Sequence, residues 1–121
     1  MESPVVVVGL GGVGSHCAHA LLRAAVPALR LVDFDRVSLS SLNRHAVALR
    51  RDVGMPKVTC CRKHFEAIRE VKVDCRDAMF TASRAEELLL RGANGEEEVP
   101  KLVVDCLSQQ DLGKIRNEIL R

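Results

Sequence analysis

Four glycines, Gly9, Gly11, Gly12 and Gly14, crowd one turn of this chain, and Asp33, Asp35, Asn43, Arg44 and Lys57 follow within its first half. These residue types suit a nucleoside triphosphate. Glycines let backbone N–H groups approach phosphate at the start of a helix, an acidic side chain can accept ribose hydroxyls, and two cations can neutralise a phosphate chain before an anion attacks it. Asp33 lies 22 residues after Gly11, near the ~20-residue offset at which an acid meets a ribose in dinucleotide-binding folds. Asp35 can serve the same purpose; Asp33 is preferred because it directly follows an apolar run. The glycine turn alone is compatible with NAD as well as ATP, but a hydride-transfer site has no need of Arg44 and Lys57.

Such a turn needs a strand before it and a helix after it. Pro4 to Val8 is a run of β-branched residues typical of a parallel strand buried on both faces. A helix is expected from Gly12 to about Ala25, ended by Pro27, and Leu29 to Val32 reads as the second strand of a β-α-β unit. Residues 36 to 55 form a polar loop with one short helix expected around Ala46 to Arg50. Pro56 opens a helix to about Glu70, whose Val58, Cys61, Phe65 and Ile68 should face the sheet. Val71 to Cys75 and Leu102 to Asp105 are the third and fourth strands. Between them lie a helix over Ser83 to Arg91, with Ser83 as its cap and Glu86 three residues on, and an acidic loop over Gly92 to Glu98. A last helix over Gln110 to Arg121 places Leu112, Ile115 and Ile119 on one face. The expected fold is α/β and Rossmann-like: one domain over 1–121 with a mostly parallel sheet flanked by helices and truncated after about four strands.

Composition narrows the partners. The net charge is only +2, and Phe34, Phe65 and Phe80 are the only Phe, Tyr or Trp residues that could stack on a base, so a generic single-strand-binding surface is not expected and any RNA contact is expected mainly to phosphates. No apolar stretch approaches the ~20 residues of a membrane span. The five cysteines, Cys17, Cys60, Cys61, Cys75 and Cys106, contain no C-x-x-C pair and the four histidines are scattered, which predicts reduced thiols and no metal ligands.

Taken together, Gly-Leu-Gly-Gly-Val-Gly-Ser, Val-Asp-Phe-Asp-Arg-Val-Ser-Leu-Ser-Ser-Leu-Asn-Arg-His and Asp-Val-Gly-Met-Pro-Lys resemble the ThiF-type, ubiquitin-activating-like adenylating enzymes. The Asn-Arg-His stretch and Ala48 to Gly54 are most similar to the tRNA threonylcarbamoyladenosine dehydratases. The resemblance implies ATP-dependent activation of a carboxylate with magnesium, in a homodimer, the substrate being a modified adenosine of tRNA. In other branches it is a ubiquitin-like or sulfur-carrier protein. Carried over by position, Gly12 contacts the nucleotide, Asp33 the ribose, Asn43 and Arg44 the ribose-phosphate region and Lys57 the phosphates, with Arg44 and Lys57 as the catalytic pair. Cytoplasm is the expected location; fungal-type relatives reach the mitochondrial outer membrane through an anchor.

The sequence departs from the family after the fourth strand. Where relatives carry Asp-x-x-Asp-Asn, it reads Asp105-Cys106-Leu107-Ser108-Gln109, and a hydroxyl and an amide are poor magnesium ligands beside a carboxylate. With the second half of the family domain absent as well, the alternative is a truncated, non-catalytic nucleotide-binding module. No cysteine stands where a nucleophile would be assigned.

Overall fold

The computed structural model describes residues 3–120. Four strands, β1 (Val5–Val8), β2 (Ala28–Asp33), β3 (Lys72–Asp77) and β4 (Leu102–Asp105), alternate with α1 (Gly12–Arg23), α2 (Lys57–Ile68), α3 (Ala85–Leu90) and α4 (Gln109–Ile119). The sheet runs β3-β2-β1-β4 and every pairing is parallel, with Val8 opposite Val32 on one side and Asp105 on the other. The expected Rossmann-like fold is the one observed. The chain moves outward from β1 to β3 and then returns to β4 across β1, so the strand order reverses between β1 and β4. In open α/β sheets ligands bind outside the strand C-termini at such a reversal.

β1 is central, and all four of its valines are buried. Val5 and Val7 meet Leu29, Leu31, Leu22 of α1 and Phe65 of α2 on one face, while Val6 and Val8 meet Val32, Ala78 and Leu88 of α3 on the other. Val58, Cys61 and Phe65 of α2 are buried and Ile68 packs beside them, as their spacing predicts.

Helix α1 stops at Arg23, two residues before the expected end. Ala25 takes φ +66°, and Ala25 N–H and Val26 N–H return to Leu22 and Leu21 carbonyls at 3.1 and 3.2 Å, a left-handed cap that glycine usually supplies. The helix expected over Ala46 to Arg50 is absent. His45 Nδ1 takes the N–H groups of Val47 and Ala48, and Asp52 Oδ2 takes that of Leu49, so the loop forms short 3₁₀ turns at Leu39–Ser41 and Arg50–Asp52 instead. Ser83 does not cap α3; it sits inside a 3₁₀ turn, Ala82–Arg84, that leads into the helix. Of the three apolar residues expected on one face of α4, Ile115 is buried while Leu112 and Ile119 are exposed. Arg121, the expected last residue of that helix, lies outside the described residues. Among the described residues no helix is long and apolar enough to cross a membrane.

Candidate nucleotide site

The turn from β1 into α1 is built on close approaches. Gly9 has φ +94°, and a Cβ there would lie 2.9 Å from the carbonyl carbon and oxygen of Cys106, just beyond β4. At Gly14 a Cβ would stand 1.6 Å from the Gly9 carbonyl oxygen. These two glycines serve protein packing. At Gly11, the residue before α1, a Cβ would meet no protein atom within 4 Å, and at Gly12 the nearest is the aliphatic part of Arg44 at 3.4 Å. Gly11 thus faces open space, and Gly12 the Arg44 side chain, at the N-terminus of a twelve-residue helix whose first turn carries no acid, where free N–H groups and the helix dipole favour an anion.

Asp33, buried at the end of β2, fixes this turn from below. Its Oδ2 accepts the Leu10 N–H and its Oδ1 the Asp35 N–H, both at 2.7 Å. Burial pushes its carboxyl above the usual range, although the Asp35 and Leu10 amides and Lys57 pull the other way. A carboxylate has about four lone-pair sites, so the two backbone bonds leave acceptor capacity.

The polar loop comes back over α1. Ser15 Oγ accepts the Ala46 N–H at 3.0 Å, and His16 Nε2 donates to the Arg44 carbonyl at 3.1 Å. This lays the exposed Arg44 side chain along Gly12, with its Nη1 3.2 Å from the Ser40 carbonyl and 3.4 Å from Asn43 Oδ1. His45 beside it is buried and held neutral: burial, then Lys57, lowers its pKa from 6.5 to about 4. With Nδ1 accepting two amides, its proton sits on Nε2, 3.9 Å from Cys61 Sγ. Lys57, at the start of α2, donates its N–H to the Asp35 carbonyl at 2.9 Å and holds Nζ 3.9 Å from Asp35 Oδ2. Lys114 of α4 reaches the same carboxylate at 3.2 Å and stands 5.7 Å from the centre of the Phe34 ring.

The structure therefore gathers the four glycines, Asp33 and Arg44 around one turn, with Asp35 and Lys57 paired just beyond the end of β2. Asn43 is exposed on the loop and touches Arg44. Ser15, His16, His45 and Lys114 join them; Ser15 and His45 belong to the motifs quoted above, but no spacing in the sequence shows what any of the four binds. Ser15 and His16 follow the glycines directly, but their partner lies 28 or more residues away, and nothing in the helical pattern of α4 marks Lys114. Beyond β4, Ser108 Oγ accepts the Asp111 N–H and Asp111 Oδ2 accepts the Ser108 N–H, each at 3.0 Å. That reciprocal cap starts α4 and engages one side-chain oxygen of each residue. Burial pushes the Cys106 thiol up to about 11, away from the thiolate a nucleophile requires. A cleft of about 450 Å³ opens at the opposite end of the sheet, against Pro4, Ala28 and Lys72 at the strand starts, remote from the glycine turn.

The sequence pattern of the ThiF family matches residues 1–118. The chain is 45% identical over 108 residues to tRNA threonylcarbamoyladenosine dehydratase 2 of Saccharomyces cerevisiae, covering 88% of itself and 23% of that protein. It is 36% identical to the sulfur carrier protein adenylyltransferase of Thermus thermophilus, covering 73% of itself and 33% of the relative. Among solved structures, the Escherichia coli tRNA N6-threonylcarbamoyladenosine dehydratase in complex with ATP superposes with a TM-score of 0.78 at 30% identity, over 89% of this chain and 42% of that one. The chain spans about a quarter of the length of the yeast dehydratases it matches.

Proposed function

Because the chain belongs to the ThiF family, we propose that it forms the ATP-binding part of an adenylating enzyme acting on a carboxylate, that of threonylcarbamoyladenosine in tRNA. The observation that carries this reading is the open approach to Gly11 at the α1 N-terminus, with Arg44 lying against the neighbouring Gly12. The residues present fit ATP: amides at Gly11 and Gly12 receive phosphate, Arg44 and Lys57 balance its charge, and Asp33 or Asp35 accepts the ribose hydroxyls. Bound ATP supplies an electrophilic α-phosphate and a pyrophosphate leaving group. Arg44 and Lys57 lower the repulsion between the incoming carboxylate and the phosphates, which is why they are assigned the catalytic role. Asn43 orients the Arg44 guanidinium.

For magnesium the fit is narrower. Ser108 offers no carboxylate and Asp111 is buried in the α4 cap, leaving the exposed Asp105, whose Oδ1 accepts the Leu107 N–H at 3.0 Å. One carboxylate with phosphate oxygens and water is a usual magnesium environment. Asp105 is therefore the protein ligand we assign. Activation of a sulfur-carrier C-terminus, favoured by the similarity to the Thermus adenylyltransferase, shares all of this chemistry and differs only in the attacking carboxylate. Assembly as a homodimer belongs to the same reading.

Calorimetric titration of ATP with magnesium, and separately NAD, into the chain and its Lys57→Ala variant tests the site. ATP binding that weakens at least about tenfold in the variant, with no NAD binding, is expected from loss of a charge-assisted phosphate contact. Tight NAD binding indifferent to Lys57 overturns it. Pyrophosphate exchange dependent on threonylcarbamoyladenosine-containing tRNA, set against exchange dependent on a carrier protein, separates the two substrates. Nucleotide binding without either exchange identifies a non-catalytic module.

A further inference from the structure

Away from the nucleotide site, α2 and the 3₁₀ turn at Arg50–Asp52 bring three ligand types to one point. Cys60 Sγ, His64 and an oxygen of Asp52 lie within 4.8 Å of one another, with Asp52 and Cys60 buried and His64 half-buried. Cys60 and His64 are four residues apart on one helix, so their side chains project from the same face one turn apart. Asp52 Oδ2 lies 2.7 Å from His64 Nε2 and accepts the Leu49 N–H at 2.9 Å, while its Oδ1 binds the Lys63 ammonium. A cation already sits against this carboxylate, and it sits there on a flexible, half-exposed side chain.

We propose that Asp52, Cys60 and His64 form a three-ligand site for a borderline-soft divalent cation, zinc above all, with water in the fourth position. The donor set is one sulfur, one imidazole nitrogen and one carboxylate oxygen, the mixture zinc takes in tetrahedral sites. Zinc–ligand bonds of ~2.0–2.3 Å require the sulfur to close in slightly and the Asp52–His64 pair to open. Charge also balances. Binding releases the Cys60 thiol proton to solvent and returns the Lys63 ammonium to water, leaving a thiolate, a carboxylate and a neutral imidazole around a dication. The net charge of that group is zero, which a buried position tolerates. The Leu49 N–H remains to orient the carboxylate from behind. Entry runs beneath Lys63, whose side chain is 44% exposed. The cation would pin the loop carrying Arg50–Asp52 to α2, the helix that begins with Lys57.

Cobalt(II) titration of the chelator-treated chain tests this, since a tetrahedral thiolate site shows a near-ultraviolet sulfur-to-cobalt charge-transfer band and intense visible bands. One equivalent should bind and zinc should displace it. Cys60→Ser should abolish the charge-transfer band, and His64→Gln should weaken binding by more than about tenfold, a loss that even residues merely touching the ligands produce. A Cys17→Ser/Cys106→Ser double variant should keep the spectrum unchanged. Because Cys60 is buried, Lys63→Met provides a second test at an exposed side chain: removing the competing ammonium should tighten binding about two- to fivefold, the scale of a part-exposed ion pair. No cobalt spectrum, a band that survives Cys60→Ser, or weaker binding in Lys63→Met overturns the proposal.

Discussion

The Leu10 amide donates to Asp33 Oδ2 at 2.7 Å, a bond that joins the glycine turn after β1 to the end of β2. Asp33 Oδ1 takes the Asp35 amide at the same distance, so this one carboxylate receives two backbone donors. Asn at this position retains one acceptor and turns an NH₂ toward the other amide. Asp33→Asn should cost about 1–3 kcal/mol, the penalty of a buried donor left unsatisfied. Urea denaturation measures it. A loss below about 0.5 kcal/mol, the scale of an ordinary surface change, would show that Asp33 does not brace the turn.

Gly11 and Gly14 separate packing from binding. Gly14→Ala places its methyl carbon 1.6 Å from the Gly9 carbonyl oxygen, backbone that cannot yield without shifting β1 against α1. We expect a loss above about 4 kcal/mol, the range reserved for severe core faults, seen as an unfolded circular dichroism spectrum. Gly11→Ala meets no protein atom within 4 Å and should change stability by no more than about 0.5 kcal/mol while abolishing ATP binding. Equal ATP affinity in wild type and Gly11→Ala would show that nothing binds in front of that residue.

What is legible in the sequence is what local pattern encodes. The β-branched run of β1, the glycine turn and the apolar spacing of Val58, Cys61 and Phe65 each state their element within a few residues, and the parallel order follows from the alternation of strands and helices. The loop over 36 to 55 escapes that pattern because its hydrogen bonds come from side chains: His45 and Asp52 take the amides that a helix over Ala46 to Arg50 would need. The same capture hides the Asp52–Cys60–His64 cluster, since a turn of the loop rather than a sequence spacing brings Asp52 to α2. Lys114 reaches Asp35 across 79 residues, a contact only the tertiary fold defines.

His45 gives the fold an acid limit. Its pKa falls from 6.5 in the unfolded chain to about 4 in the fold, so the unfolded state binds the proton more tightly. The stability this neutral histidine represents is complete above pH 6.5 and is lost as the pH falls toward 4. At about 1.4 kcal/mol per unit the swing is on the order of 3 kcal/mol. Asp52 adds a second limb further down: burial opposes its charge, but the Lys63, His64 and Leu49 hydrogen bonds outweigh this and hold its carboxyl below the usual range, so its contribution is lost below its unfolded pKa of 3.8. Stability measured from pH 7 to 4 should fall in wild type and fall much less in His45→Asn. Parallel curves would mean that His45 takes up its proton at the same pH in the fold as in the unfolded chain.

Arg30 sits in the middle of β2 with no exposed surface, and its guanidinium reaches Asp74 at 2.9 Å, Glu98, and the carbonyls of Leu88 and Leu89 at 3.3 and 3.2 Å. One side chain thus ties β2 to β3, to the end of α3 and to the acidic loop before β4. Burial opposes ionisation of Asp74, yet Arg76 and Arg30 outweigh it and hold its carboxyl below the usual range. Arg30→Met keeps the apolar stem but strands Glu98 and two carbonyls, and should cost about 3–5 kcal/mol, as loss of one partner of a buried ion pair does. Adding Glu98→Gln to Arg30→Met should return part of that loss, because an amide is cheaper to leave unpaired than a carboxylate. Thermal unfolding of the two single variants and the double variant closes the cycle. A double variant no more stable than Arg30→Met alone would show that the stranded Glu98 carboxylate is not the source of the loss.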